Sequence, residues 1–196
     1  MRKILFLLLA LLFAALFATL AACRTTPVVL DTAAPYRDAL AAAAAKPTLA
    51  KDGETERAAI ARVKDFLSVI TADSVRAKTR LVYSDDAYLN DTLKTVRGNA
   101  AIEAYFLATA EGAERITVQF DDVAESGGNY YFRWVMDTRL KKLRKGETIR
   151  TMGVTHIRFA PDGRVVLHQD FWDSTAGVFE HVPAVGTMIR GIKAKF

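Results

Sequence analysis

The chain has 196 residues, with 27 Lys and Arg against 22 Asp and Glu, a formal charge of +5 and one cysteine. So mild a positive balance, with no long basic run and no nucleic-acid motif, argues against nucleic-acid binding. With half of the residues hydrophobic (51%), the chain can bury a substantial core.

In chain order, Arg2 and Lys3 come first, followed by an apolar run over residues 4–22 that only Thr19 breaks. The run ends in Leu20-Ala21-Ala22-Cys23. A basic start, an apolar centre and small residues at the end predict a secretory leader over residues 1–22. The run is close to the ~20 residues that cross a bilayer, so an uncleaved anchor is the alternative. The LAAC stretch resembles the lipobox of bacterial lipoproteins. That resemblance implies removal of the leader and lipidation of Cys23. Arg24 follows in place of an aspartate, which by the same resemblance implies the outer membrane, with the folded domain in the periplasm. Loss of Arg2 and Lys3 brings the formal charge to +3. With Cys23 as lipid carrier, the folded part has no thiol for disulfides, metal ligation or nucleophilic chemistry.

Residues 23–53 read as the lipidated cysteine and a tether. Thr25-Thr26-Pro27, Ala34-Pro35, the alanine-rich run at 39–45 and Lys46-Pro47 offer few large apolar groups, although the Ala run could be locally helical. One domain is expected over residues 54–182. It opens with a helix whose Ile60, Val63, Phe66, Leu67 and Ile70 recur at three- and four-residue steps. A second short helix is predicted over 74–82, then a loop entering a short strand over 83–90. A third helix starts at Gly98-Asn99, with Asn99 as the expected N-cap and Ile102, Tyr105 and Phe106 on one face.

From there the period is two. Ile116, Val118 and Phe120 alternate with polar residues, Ser126-Gly127-Gly128-Asn129 makes a turn, and residues 130–137 read as a second long strand. A charged connection at 141–146 leads to a strand over 147–159. The turn Pro161-Asp162-Gly163 leads to the last strand, RVVLHQDFWD at 164–173. Helices first and antiparallel strands afterwards predict an α+β fold, with helices on one face of a meander sheet. On the last strand, alternation puts His168, Asp170 and Trp172 on one side, an unusual set for a simple core face.

This order of elements resembles the NTF2-like (SnoaL-like, ketosteroid-isomerase-like) fold over about residues 55–175. So does the local text YSDDAYLNDTLKTVRGNAAIEAYF and GVTHIRFAPDGRVVLHQDFWD. The resemblance implies a cone: a curved antiparallel sheet wrapped around helices and enclosing a pocket. It says little of function, because the fold hosts isomerases, cyclases, hydratases and plain binders. Set against ketosteroid isomerases, Asp91 falls at the general base, Thr155 where that family has a protonated aspartic acid, and Phe66 where it has the oxyanion tyrosine. An enol isomerase needs donors where charge develops, and loss of one costs on the order of a hundredfold. Phe66 donates nothing and Thr155 only weakly, so steroid isomerisation is not expected.

The resemblance turns His168, Asp170 and Trp172 toward the pocket, with Leu89, Tyr105, Phe132, Trp134 and Met136 as its apolar wall and Phe66 and Thr155 also facing it. Two readings stand for the polar residues. Asp91 or Asp170 is a general base with His168 as proton shuttle. Alternatively, Asp170 belongs to an internal network with a backbone amide, His168 or the Trp134 indole, and Asp91 bonds nearby backbone as Asx residues often do. Trp134 and Trp172 either clamp a flat ligand or are simply core. His156 points away from the pocket, as a surface residue or dimer contact. Three histidines without shared spacing give no metal motif, and neither a metal nor a cofactor is expected. Residues 183–196 form a basic amphipathic segment, either a helix that closes the pocket or packs on the domain, or one that rests on a membrane surface. The expectation is an outer-membrane lipoprotein whose domain binds a small hydrophobic molecule without catalysis. The alternatives are an isomerase, cyclase or hydratase, or a scaffold with a filled pocket that dimerises through the outer sheet face.

Overall fold

The computed structural model describes residues 30–196. The leader, Cys23 and the start of the tether lie outside the described residues. Three helices come first: α1 at Ala34–Ala44, α2 at Glu54–Ser68 and α3 at Ala72–Val82. Strands β1 at Tyr83–Asn90 and β2 at Thr95–Arg97 precede α4 at Asn99–Gly112. Four long strands follow: β3 at Ala113–Ser126, β4 at Asn129–Leu140, β5 at Ile149–Phe159 and β6 at Val165–Trp172. The chain ends with α5 at Ser174–Gly177, a 3₁₀ turn at Phe179–His181 and α6 at Val185–Lys193.

The α2 stripe is the one its period predicts: Ala59, Val63, Phe66 and Leu67 are buried. Helix α3 starts on a capping box in which Thr71 and Ser74 exchange side chain and backbone bonds, each at 3.1 Å. Two local expectations are corrected. Residues 83–90 are a strand throughout, held on both sides by β2 and β6, with a register shift between Tyr83 and Tyr88 that leaves Asp85 and Asp86 exposed. Gly98, at φ 83°, caps α4 in place of Asn99. A Cβ there would stand 3.2 Å from the Asp85 carbonyl oxygen, and Asn99 instead donates to the Asp85 carboxylate at 2.7 Å.

The strands form one open sheet in the order β2-β1-β6-β5-β4-β3. The α+β class and the curved sheet match the expectation. The departure is one parallel pair, β1 with β6, in an otherwise antiparallel sheet. A shift opposite Arg158 and Phe159 brings both Val165 and His168 to the inner side of β6. The core lies between this inner side and α2, α3 and α4.

The outer side is not bare. Helix α1 belongs to the same compact unit and sets Ala39 and Ala43 against Tyr88 and Leu167. Leu49 is buried in the main core. Within the tether expected over 23–53, Ala39, Ala43 and Leu49 are thus packed on the domain. The outer face expected to dimerise is partly covered, leaving Tyr131, Met152 and Phe171 exposed on it. At the C-terminus, α6 packs on the 3₁₀ turn through buried Gly186, whose added Cβ would meet the Glu180 carbonyl oxygen at 2.0 Å. Its Met188 and Ile192 are exposed. Among the described residues, no helix is long and apolar enough to cross a membrane.

Candidate ligand pocket

The sheet curls around a cavity of about 360 Å³. Its wall is mostly apolar, with Leu89, Phe106, Val118, Met136 and Ile149 typical of it. Polar groups converge at one part, as in small-molecule sites generally. Strand alternation makes the wall. In β4, Trp134, Met136 and Thr138 point inward, in register with Gly153, Thr151 and Ile149 of β5. Gly153 is needed there, since a Cβ would lie 2.6 Å from the Trp134 ring. Helix α5 caps the cavity: Gly177 lies against Trp172, and Gly177 and Val178 both line the hollow. The cap is therefore the segment before α6, not α6.

A continuous polar chain crosses the wall. The Trp134 indole N–H donates to Thr155 Oγ1 at 2.8 Å, and Thr155 donates to Asp170 Oδ1 at 2.5 Å. His168 Nε2 lies 3.0 Å from the same oxygen, and its Nδ1 lies 2.9 Å from the Tyr83 hydroxyl. Burial, then the Asp170 charge, pushes the Tyr83 phenol well above its ordinary pKa, so it stays protonated. A neutral Tyr83 has one proton, and Nδ1 is its acceptor here. Nε2 then carries the imidazole proton and donates to Asp170. Both donors fall on Oδ1. Oδ2 has no hydrogen bond among the described residues, and 16% of the Asp170 side chain is accessible.

The second acid is more fully committed. Asp91 Oδ1 accepts the backbone N–H groups of Leu93 and Lys94 at 3.0 and 2.9 Å, and Oδ2 accepts the Tyr105 hydroxyl. Burial, then the Asp91 carboxylate, holds the Tyr105 phenol far above its usual range, so it remains a donor. The Trp172 indole donates to the Asp91 carbonyl oxygen at 2.7 Å. Asp91 thus behaves as an Asx residue organising its loop, while still lining the cavity.

Of the residues expected at the site, Asp91, Asp170, His168, Leu89, Tyr105, Trp134, Met136, Thr155 and Trp172 all line the cavity. Phe66 and Phe132 do not. They lie in the core, Phe66 edge-on to Tyr83 and Phe106, and Phe132 edge-on to Phe120, which itself lines the cavity. Both are 1% exposed or less. The sequence reading missed Tyr83, the hydroxyl partner of His168; the register shift in β1 removes the alternation that would have shown it. His156 does point away from the pocket, but it is fully buried, not on the surface. Tyr36 from α1 reaches its Nδ1 at 2.9 Å and Asn129 Oδ1 its Nε2 at 2.9 Å. Among the described residues, no three His, Cys, Asp or Glu side chains group as a metal site.

An α+β cone whose curved sheet and helices enclose a pocket with a few converging polar groups defines the NTF2-like class of domains. Residues 63–168, more than half of the chain, match the SnoaL-like domain family. The chain belongs to that family. Solved structures share the fold. One, from Jannaschia sp. CCS1, is provisionally named a SnoaL-like polyketide cyclase. It is 19% identical, with a TM-score of 0.57 over 69% of this chain and 98% of its own. A second, from Acidithiobacillus ferrooxidans, is provisionally named a polyketide cyclase, and is 10% identical with a TM-score of 0.55 over 67% of this chain and 97% of its own. A third, from Catenulispora acidiphila, has a ketosteroid isomerase-like fold and was solved with trimethylamine; it is 13% identical, with a TM-score of 0.53 over 63% of this chain and 90% of its own. At these identities the likeness shows the fold alone. No curated protein matches the chain.

Proposed function

We propose that this SnoaL-like domain is a binding module for a small, largely apolar molecule, held at the outer membrane by a lipidated Cys23. The observation that carries the binding reading is the open cavity of about 360 Å³, apolar on most of its wall and polar where Asp170 stands. A filled interior would have favoured a scaffold. The Catenulispora acidiphila relative, named for its complex with a small amine, gives a precedent within the fold.

Catalysis is the second reading. It is favoured by the Tyr83–His168–Asp170 chain, which supports an acceptor with one oxygen free. Against it stands the donor supply. The Trp134 and Trp172 indoles, the Tyr105 phenol and Thr155 all donate to protein atoms, so none of them is free to stabilise an oxyanion. Phe66, at the family's oxyanion position, sits in the core.

Native mass spectrometry of the purified protein tests the module. A co-purified mass of a few hundred daltons is expected, absent from an Ala108→Phe/Val118→Phe variant that fills the hollow. Only the bare polypeptide mass for each protein speaks against the module. Anchoring rests on Arg2, Lys3, the apolar run and the LAAC stretch. Palmitate labelling in cells is expected to mark the native protein and not Cys23→Ser, which should leave the membrane fraction. Equal labelling of both proteins contradicts it.

A further inference from the structure

The binding reading leaves open which polar group the guest carries, and the donors and acceptors in the wall narrow the choice. The Trp134 and Trp172 N–H groups and the Thr155 and Tyr105 hydroxyls are engaged with the protein, and His168 is engaged at both nitrogens. Around Asp170 the wall offers a guest an acceptor, chiefly Oδ2; the unpartnered Thr138 and Thr151 hydroxyls, which can donate or accept, stand farther along β4 and β5. Two carboxylates line the cavity, and among the described residues no Lys or Arg does. Lys94 reaches only the Tyr105 ring, its Nζ 5.9 Å from the centroid, and its side chain is exposed.

Each class of guest meets this wall differently. An anion would be desolvated beside two carboxylates, with only the neutral Thr138 and Thr151 hydroxyls left unpartnered to donate to it, which is unfavourable. A neutral alcohol can donate one hydrogen bond to Oδ2. A protonated amine donates the same bond with charge assistance and in a cavity walled by indole and phenol rings, to which cations are attracted. We infer that the cavity selects a cationic amphiphile: an apolar body whose protonated amine sits against Asp170 Oδ2. The inference rests on the cavity being a ligand site and adds the chemical class of the guest.

Calorimetric titration of the full-length protein in a non-ionic detergent at pH 7.5 tests it with three probes of similar shape: phenethylamine, 2-phenylethanol and 3-phenylpropanoate. Charge-assisted bonding predicts that the amine binds about tenfold or more tighter than the alcohol, and that the carboxylate does not bind. Asp170→Asn in the same detergent cancels uptake by micelles. Its carbonyl oxygen can still accept from Thr155 and His168, while its Nδ2 turns a donor toward the guest. The amine preference should disappear and the carboxylate should gain affinity. The ranking on the native protein stands as a test even if that variant does not fold. Equal affinity for all three probes, or an amine preference that survives Asp170→Asn, overturns the inference and leaves the cavity a ligand site. If no probe binds and bromocyclohexane also fails to enter, the binding reading falls with it.

Discussion

Two buried histidines on adjacent strands, one on each face of the sheet, have almost the same partners and opposite electrostatic settings. His168 faces the cavity and His156 faces α1, and each has a tyrosine hydroxyl 2.9 Å from Nδ1. The difference lies at Nε2. His168 meets the carboxylate of Asp170; His156 meets the neutral amide oxygen of Asn129, which also accepts from Arg158 at 2.8 Å. An imidazole beside a carboxylate has a counter-charge available. One beside an amide and a guanidinium has none, and burial, with Arg158 nearby, lowers the His156 pKa to about 4. One motif thus serves a cavity-facing polar chain on one side and a neutral clamp on the other.

The sharpest way to break this comparison is acid. His156 has a folded pKa of about 4 against an ordinary value of 6.5, so the unfolded chain takes up its proton first. Stability is then complete above pH 6.5 and falls as pH drops toward 4. Linkage gives a loss of about 2 kcal/mol between pH 7.5 and 5, measurable by urea unfolding at both values. In His156→Gln that slope should flatten. The paired hydroxyl deletions come next. Tyr83→Phe strands Nδ1 of a fully buried imidazole and is expected to cost about 1–3 kcal/mol in the same assay. Tyr36→Phe, at the edge of α1, should cost about 1 kcal/mol and reduce protection of residues 34–44 from hydrogen exchange. The smallest effect is expected at Lys46→Ala. The Lys46–Asp86 pair spans 2.6 Å but both side chains are more than half exposed, so the change should stay below about 0.5 kcal/mol. A larger loss would mean that α1 is held by its surface charge and not by the Tyr36–His156 clamp.

How far the sequence reached differs between the same two faces. The inner face was largely legible. Period-2 alternation over 164–173 assigns His168, Asp170 and Trp172 to one side, and the spacing of Val63, Phe66 and Leu67 gives the helix that covers it. Alternation reports a face but not a depth, which is why Phe66 and Phe132 read as cavity wall although aromatic packing places them in the core. The outer face was not legible. Helix α1 is alanine-rich, and its buried contacts come from Ala39 and Ala43 lying close to Tyr88 and Leu167, a fit that leaves no stripe of large apolar residues. Tyr83 escaped because its contact with His168 needs a parallel strand pair and a shifted register, both long-range properties.

Both tryptophans of the chain, Trp134 and Trp172, stand in the cavity wall, so intrinsic fluorescence reports directly on whether a guest enters. Titrating the full-length protein with bromocyclohexane, a small apolar quencher, should give quenching that saturates and that is largely lost in Ala108→Phe/Val118→Phe. Quenching that rises linearly without saturation, or is unchanged in the filled variant, would contradict a ligand-accessible hollow at the centre of this domain.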